Sequence, residues 1–367
     1  MRLLLVVSSL GPGGTERVVA TLAGAWAARG HGVTIATLSD AAAAPFYGLH
    51  PAVGHLPLGV ARDSAHLPAA LANNVRTVRA LRRLFAGRRP DVVVSFGDTT
   101  NVACLAAAAG LRIPVVVAER CDPRLTPANP AWRALRRAAY PLAATVVAQT
   151  QAAASWFRAG GVRRVAVIPN PVALPVRAGA AADPWPGGAP LLLGVGRLVA
   201  QKGFDLLVGA FARVAPGFPD WRLLILGEGP ERARLESLAA RPGLAERVRL
   251  PGVSADPAPA YRRASLFALP SRFEGFPNAL VEAMACGLPV VAADCPSGPA
   301  EIVRHGVDGL LVPAGDEAAL AAALARLMAD PGARRALGDA ARGVTERFSL
   351  ERVLGLWDAV LPGPSER

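Results

Sequence analysis

Apolar, β-branched runs of strand length alternate with amphipathic segments of helix length along this chain, and the whole alternation occurs twice. In the first half, residues 3–7, 33–37, 91–95, 114–117, 145–148 and 165–168 read as strands. In the second half, residues 191–195, 221–226, 248–250, 266–268, 289–292 and 309–312 do so. Strands that are apolar throughout and separated by helices imply parallel sheets covered on both faces. The expectation is an α/β chain of two Rossmann-like parallel-sheet domains, residues 1–170 and 190–348. Residues 171–189, rich in proline, glycine and alanine, read as a linker between them. Residues 349–367 carry a short helix expected to cross back to the first domain. Open parallel sheets take ligands beyond the carboxyl ends of their strands. Two such sheets facing each other across a cleft would bring their strand-end loops to one ligand.

The bulk properties exclude several classes. With 367 residues, 52% of them hydrophobic and 19% charged, the chain is globular rather than disordered. Cys104, Cys121, Cys286 and Cys295 show no paired or metal-ligand spacing, which suits buried thiols in a reducing compartment. Residues 1–10 are too short for a secretory signal. The two longest uncharged stretches, 41–61 and 138–157, are broken by prolines and polar residues, whereas a span needs about 20 apolar residues. The expected location is therefore the cytoplasm. The formal charge of +12 is almost entirely arginine, with Lys202 the only lysine, so it reflects compositional bias as much as an anionic partner. No motif or aromatic platform for nucleic acid accompanies it, and none is expected as a partner.

The most informative stretch runs from Ser271 through Arg272, Phe273, Glu274, Gly275, Phe276, Pro277, Asn278, Ala279, Leu280 and Val281 to Glu282. It follows a strand and opens a helix reaching about Ala285. A glycine–proline turn before a helix start presents backbone N–H groups and the positive dipole end to an anion. Glu274 in the turn and Glu282 in the helix can face one ligand from different heights, where carboxylates accept hydrogen bonds from sugar hydroxyls. Upstream, Arg197 follows a strand and Lys202 opens the next helical region. Both suit a diphosphate, for which arginine offers a bidentate fork. Gly13 and Gly14 lie at the first strand-to-helix turn and allow close backbone approach to a phosphate or sugar. Glu228, in Gly227-Glu228-Gly229-Pro230, is either a plain turn or a nucleotide contact.

Residues 274–291, together with Gly194-Val195-Gly196-Arg197-Leu198, Lys202-Gly203, the 227–230 turn, residues 296–301 and the glycine-rich loop 11–17, resemble the signature of family 4 (group 1) retaining glycosyltransferases of GT-B fold. The likeness covers nearly the whole chain and is most specific in the second half. It implies a retaining transferase moving a hexose or N-acetylhexosamine from a nucleotide-sugar, UDP-linked in the first instance, to a glycan or lipid-linked acceptor in cell-surface polysaccharide or lipopolysaccharide synthesis. The donor would lie on Gly13, Gly14, Arg197, Lys202, Glu274, Gly275, Phe276, Asn278, Ala279, Leu280 and Glu282, with Arg197, Lys202 and Glu274 closest to the chemistry. Neither a metal nor a separate cofactor is implied, and the chain has no Asp-x-Asp motif to hold a metal. Retention would follow same-face attack rather than a carboxylate nucleophile.

One departure is clear. Many relatives carry a histidine after the fourth strand of the first domain, whereas this chain reads Glu119-Arg120-Cys121-Asp122-Pro123. Glu119, Arg120 and Asp98 are strand-end candidates for the acceptor side, with a structural salt bridge as the alternative for the first two. Specificity is expected in loops 45–67 and 121–129. Residues 67–85 read as an amphipathic helix with Leu71, Val75, Val78, Leu81 and Phe85 on one face and Arg76, Arg79, Arg82 and Arg83 on another. Trp132, Arg133, Arg136 and Arg137 form a second basic cluster. Such faces fit either an anionic bilayer, giving a peripheral position at the inner membrane face, or ordinary solvent. Two other function classes stay open: a GT-B scaffold without activity, and a Rossmann oxidoreductase, against which stands the lack of Gly-x-Gly-x-x-Gly after the first strand.

Overall fold

The computed structural model describes residues 1–39, 44–61, 67–125, 130–172, 188–254 and 256–363. The chain divides into two compact units, one formed by Met1–Pro171 with Glu351–Arg367 and the other by Val172–Leu350. Most of the expected linker, and the parts of the specificity loops at 62–66 and 126–129, lie outside the described residues.

The first unit is built on β1 (Arg2–Val7), β2 (Gly32–Thr37), β3 (Gly54–Pro57), β4 (Val92–Phe96), β5 (Val115–Ala118), β6 (Thr145–Ala148) and β7 (Val165–Val167). Their order is β3-β2-β1-β4-β5-β6-β7, and every pair is parallel. The central strands are apolar because both faces are covered; β4 and β5 are buried at every residue. Strand β3 escaped the sequence reading. It is a short edge strand carrying His55 and Pro57, mostly half-buried, so it lacks the continuous apolar signal of an inner strand.

In two helices of this unit the burial departs from the sequence pattern. The helix Leu67–Arg88 buries Leu81 and Phe85 completely, but Leu71 and Val75 remain 67% and 39% exposed. The apolar face expected along its whole length is therefore covered only toward its carboxyl end. In the helix Pro130–Ala139, Arg136 does not join a surface cluster: it is buried, lies 5.1 Å from the Trp156 ring centre and donates to the Pro123 carbonyl. The helix Leu350–Asp358 belongs with this unit's core. Trp357 stands edge-on to Trp26 at 5.8 Å and 6.1 Å from Phe96, and Arg29 pairs with Asp358 at 2.7 Å.

In the second unit, β8 (Leu191–Val195), β9 (Arg222–Leu226), β10 (Val248–Gly252), β11 (Leu266–Leu269), β12 (Val290–Asp294) and β13 (Leu310–Pro313) run β10-β9-β8-β11-β12-β13, again all parallel. Alternate residues feed cores on opposite faces. Leu192, Leu223 and Ile225 enter one, while Leu191, Leu193, Leu224 and Leu226 enter the other. In each sheet the winding direction reverses once, between β1 and β4 and between β8 and β11, and such reversals are where open α/β sheets hold ligands. Loops carrying the candidate residues leave these same strands.

Candidate functional site

In the second unit the loop after β8 and the loop after β11 are stapled together. Arg272 donates to both carboxylate oxygens of Asp205 at 2.9 Å and to the Ala200 carbonyl at 2.7 Å. Its backbone N–H reaches the Gln201 carbonyl at 2.8 Å, and the Gln201 side chain returns a bond to the Phe273 carbonyl at 2.9 Å. The hydrogen bond from Arg272 holds the Asp205 carboxyl below its ordinary range. Gly203, with φ of +64°, ends the short 3-10 turn Ala200–Lys202 where a Cβ would collide with the Pro270 carbonyl, so the close approach of the two loops requires glycine.

This staple fixes a charged pair. Lys202 Nζ lies 2.7 Å from Glu274 Oε1, and the Ser271 hydroxyl donates to the same oxygen at 2.6 Å. Glu274 is 4% exposed, so its remaining oxygen is held in a nearly dry setting where each hydrogen bond counts for more than in water. Arg197 is different. It is exposed, and among the described residues its guanidinium has no hydrogen-bond or ion-pair partner. A free cation beside a paired one suits an incoming anion.

The turn Gly275–Pro277 leads into the helix Asn278–Ala285, whose N-cap, Pro277, is extended and supplies no side-chain cap. Its first intrahelical bond runs from the Leu280 N–H to the Pro277 carbonyl, leaving the earliest backbone groups at the positive end of the helix. A Cβ on Gly298 would come 2.8 Å from the Gly275 carbonyl, so this turn is pressed from outside as well. Glu282 lies four residues into the helix, on the same face as Asn278. It is buried, and Tyr261 donates to its Oε2 at 3.1 Å. Glu228 is exposed and ion-paired with Arg232, whose hydrogen bonds hold its carboxyl below the usual range.

In the first unit, Gly13 is the N-cap of the helix Gly14–Ala28, and a Cβ there would collide with the Glu16 carboxylate. Asp98 opens the helix Asp98–Ala108 and accepts from the Thr99 N–H at 2.7 Å. Glu119 and Arg120 follow β5. Glu119 is 3% exposed and accepts a hydrogen bond from the Tyr140 hydroxyl; Asn101 donates to that hydroxyl at 3.1 Å, and Ser95 donates to Asn101 at 2.7 Å. Burial pushes the Glu119 carboxyl up to about 7, partly opposed by Tyr140. Between Glu119 and Arg120 no ion pair forms. Arg120 instead donates to Asn170 Oδ1 at 2.7 Å. Ser95, Asn101, Tyr140 and Asn170 were not singled out in the sequence; Asn101 and Tyr140 are 39 residues apart, and no local pattern joins them.

Lys202, Glu274, Arg197 and the amino end of the helix Asn278–Ala285 thus share one end of one sheet, while Gly13, Gly14, Asp98, Glu119 and Arg120 lie at strand ends of the other. The second unit's set can bind an anion and a polyhydroxyl group together. Among the described residues no three of His, Cys, Asp or Glu converge as metal ligands do, and no helix is long and apolar enough to cross a membrane.

Residues 12–174 match the family model of Glycosyltransferase Family 4, and residues 189–330 match that of Glycosyl transferases group 1. The chain carries these two glycosyltransferase domains one after the other. It is 45% identical over 163 residues to an exopolysaccharide phosphotransferase of Streptomyces coelicolor, covering 44% of this chain but 17% of that protein. Over 97% of both chains it is 27% identical to a Campylobacter jejuni α-1,4-N-acetyl-D-galactosaminyltransferase acting on an undecaprenol-diphosphate-linked glycan. Among solved structures, a sucrose-phosphate synthase from Thermosynechococcus elongatus superposes with a TM-score of 0.85 at 23% identity, covering 98% of each chain. Anabaena HepE in complex with UDP gives 0.75 at 21% identity, covering 98% of this chain and 99% of that one. These likenesses define the fold as GT-B.

Proposed function

We propose that this chain is a retaining glycosyltransferase that moves a hexose or N-acetylhexosamine from a UDP-sugar to a glycan or lipid-linked acceptor in surface polysaccharide or lipopolysaccharide assembly. The observation that carries the reading is the pair of half-buried Lys202 with buried Glu274, stapled in place beside Arg197, unpartnered among the described residues, and the amino end of the helix Asn278–Ala285, to which Pro277 gives no side-chain cap. Arg197 and Lys202 hold the diphosphate, the helix amides add their dipole, Glu274 grips the transferred sugar, and Glu282 the nucleoside hydroxyls. Gly275, Phe276, Ala279 and Leu280 shape the contact within the second unit. As the bond from the anomeric carbon to the diphosphate breaks, the acceptor oxygen bonds to that carbon on the same face, and its proton passes to the departing phosphate oxygen. Fixed positive charge stabilises the leaving diphosphate without a metal. The UDP complex of the Anabaena neighbour and the lipid-linked glycan named for the Campylobacter relative support the donor and acceptor classes.

A panel of UDP-, GDP- and ADP-sugars tests the reading by thermal shift, with turnover followed in EDTA and the product anomer assigned by proton NMR. We expect UDP-sugars to raise Tm most, EDTA to leave turnover intact, and the product to keep the donor's configuration. Stabilisation by none of them would reject the donor site. A peripheral position at the cytoplasmic face of the membrane is favoured by one observation: exposed Leu71 and Val75 share a helix with exposed Arg76, Arg79 and Arg83. Failure to float with anionic vesicles at moderate salt would reject that part.

A further inference from the structure

Arg120 is a partly buried cation with no ion-pair partner among the described residues. It follows β5, and the groups around it come from the carboxyl ends of the adjacent strands: Phe96 ends β4, Gln149 follows β6, and Asn170 lies three residues past β7. That is where a parallel sheet takes its ligand. The guanidinium lies 5.8 Å from the Phe96 ring centre and donates to Asn170 Oδ1 at 2.7 Å, with the Gln149 amide against the same asparagine. Its Nε–H is buried and has no acceptor. Part of the residue's surface nevertheless remains open.

This arrangement is costly for a free protein. A guanidinium has five N–H donors, and the side-chain acceptors found for them among the described residues are two neutral amide oxygens, Asn170 Oδ1 at 2.7 Å and, with its amide turned, Gln149 Oε1 at 3.3 Å. Buried charge without a counter-ion is normally avoided. The pull of Cys121, Glu16 and Glu119 does not offset burial, which brings Arg120 down to about 10. Glu119, the nearest carboxyl in sequence, is committed to Tyr140 instead. A cation held rigid by an aromatic face and an amide, yet left without an anion, matches a binding group whose counter-ion arrives with the substrate.

We propose that Arg120 binds an oxyanion of the substrate, either the carboxylate of a uronic-acid sugar in the donor or a phosphoryl group of a lipid-diphosphate acceptor. This deepens the transferase reading and rests on it. Arg120 then selects for charge at the first unit's strand ends, while Asn170 and Phe96 hold its fork in register.

The test compares the full-length protein with Arg120→Gln and Arg120→Lys, titrating matched pairs by calorimetry. The donor arm uses UDP-glucuronate against UDP-glucose. The acceptor arm uses a farnesyl-diphosphate-linked N-acetylhexosamine against its uncharged methyl glycoside. We expect Arg120→Gln to weaken the charged member of one pair by about tenfold or more while its neutral member changes less than about twofold, with Arg120→Lys between them. The arm that responds identifies the source of the oxyanion. Arg120→Gln should also raise Tm by a few degrees, about 2–4 °C, because the unpaired charge is gone. Equal losses for charged and neutral members, or no loss in either arm, would overturn the proposal. Wild-type protein that ignores every UDP compound would instead sink the donor reading, and the acceptor arm would still decide the role of Arg120.

Discussion

Lys202 and Glu274 are joined side chain to side chain across two loops that leave neighbouring strands, β8 and β11, and the Ser271 hydroxyl meets them at the same carboxylate oxygen. Each partner limits what the other can do. The lysine is aimed by the glutamate, and the buried glutamate is kept from being an uncompensated charge by the lysine.

That coupling makes a non-additive outcome the expected one. Glu274→Gln and Lys202→Ala should each lower kcat by about a hundredfold or more, as loss of a group that stabilises developing charge does. The double variant should lose little more than the worse single one, since both break the same unit. Steady-state kinetics of the three proteins on one UDP-sugar checks this; losses that simply multiply would separate the two residues.

Glu282 lies on the helix rather than the turn, and it is bonded to Tyr261 rather than to the Lys202–Glu274 pair that the proposal sets at the reacting end. Glu282→Gln should therefore raise the Kd for UDP by about tenfold, the worth of a charged hydrogen bond, while kcat at saturation moves far less. Calorimetry with UDP alone is sufficient. An unchanged Kd would remove Glu282 from the nucleoside contact.

Glu119 predicts a pH effect of definite sign. Its ordinary value is 4.5, and burial raises it in the folded protein to about 7. Between these values the unfolded chain has released the proton that the folded one still holds, so stability falls as pH rises through this window and levels off above it. The full span is worth about 3 kcal/mol as an order of magnitude. Glu119→Gln should flatten the dependence, read as the difference in Tm between pH 5 and pH 8 for variant and wild type. The same slope in both would show that another group titrates.

Trp357 gives a purely structural prediction. It is buried against Trp26 and Phe96, so Trp357→Ala should cost the first unit about 3–5 kcal/mol, the usual toll for emptying an aromatic site. Urea unfolding followed by tryptophan fluorescence measures it, and a cost below about 1 kcal/mol would show the helix to be loosely held.

The inner strands were legible because burial on both faces writes itself as an unbroken apolar run, so boundaries shifted by only a residue or two at β4, β9 and β12. Edge strand β3 was not legible, since one side of it faces no neighbour and its residues need not be apolar. The charged pair was anticipated as two members of one site, but their direct bond was not, because Lys202 and Glu274 are 72 residues apart and the Arg272–Asp205 staple that aligns them is a tertiary feature. Arg136 misled for a related reason: its helix looks evenly basic in sequence, and only packing against Trp156 reveals that this arginine turns inward.

Trp26 is made early and Trp357 late, with all of β8 to β13 translated in between. At about 5–20 residues per second, roughly 20 to 60 seconds separate them on the ribosome. Throughout that interval the nascent first lobe has a hole where an indole belongs, while the second unit's core itself closes on Phe348, made just before Trp357. The first lobe to be born is thus left open until the end of synthesis, and it is the one that cellular chaperones would find sticky.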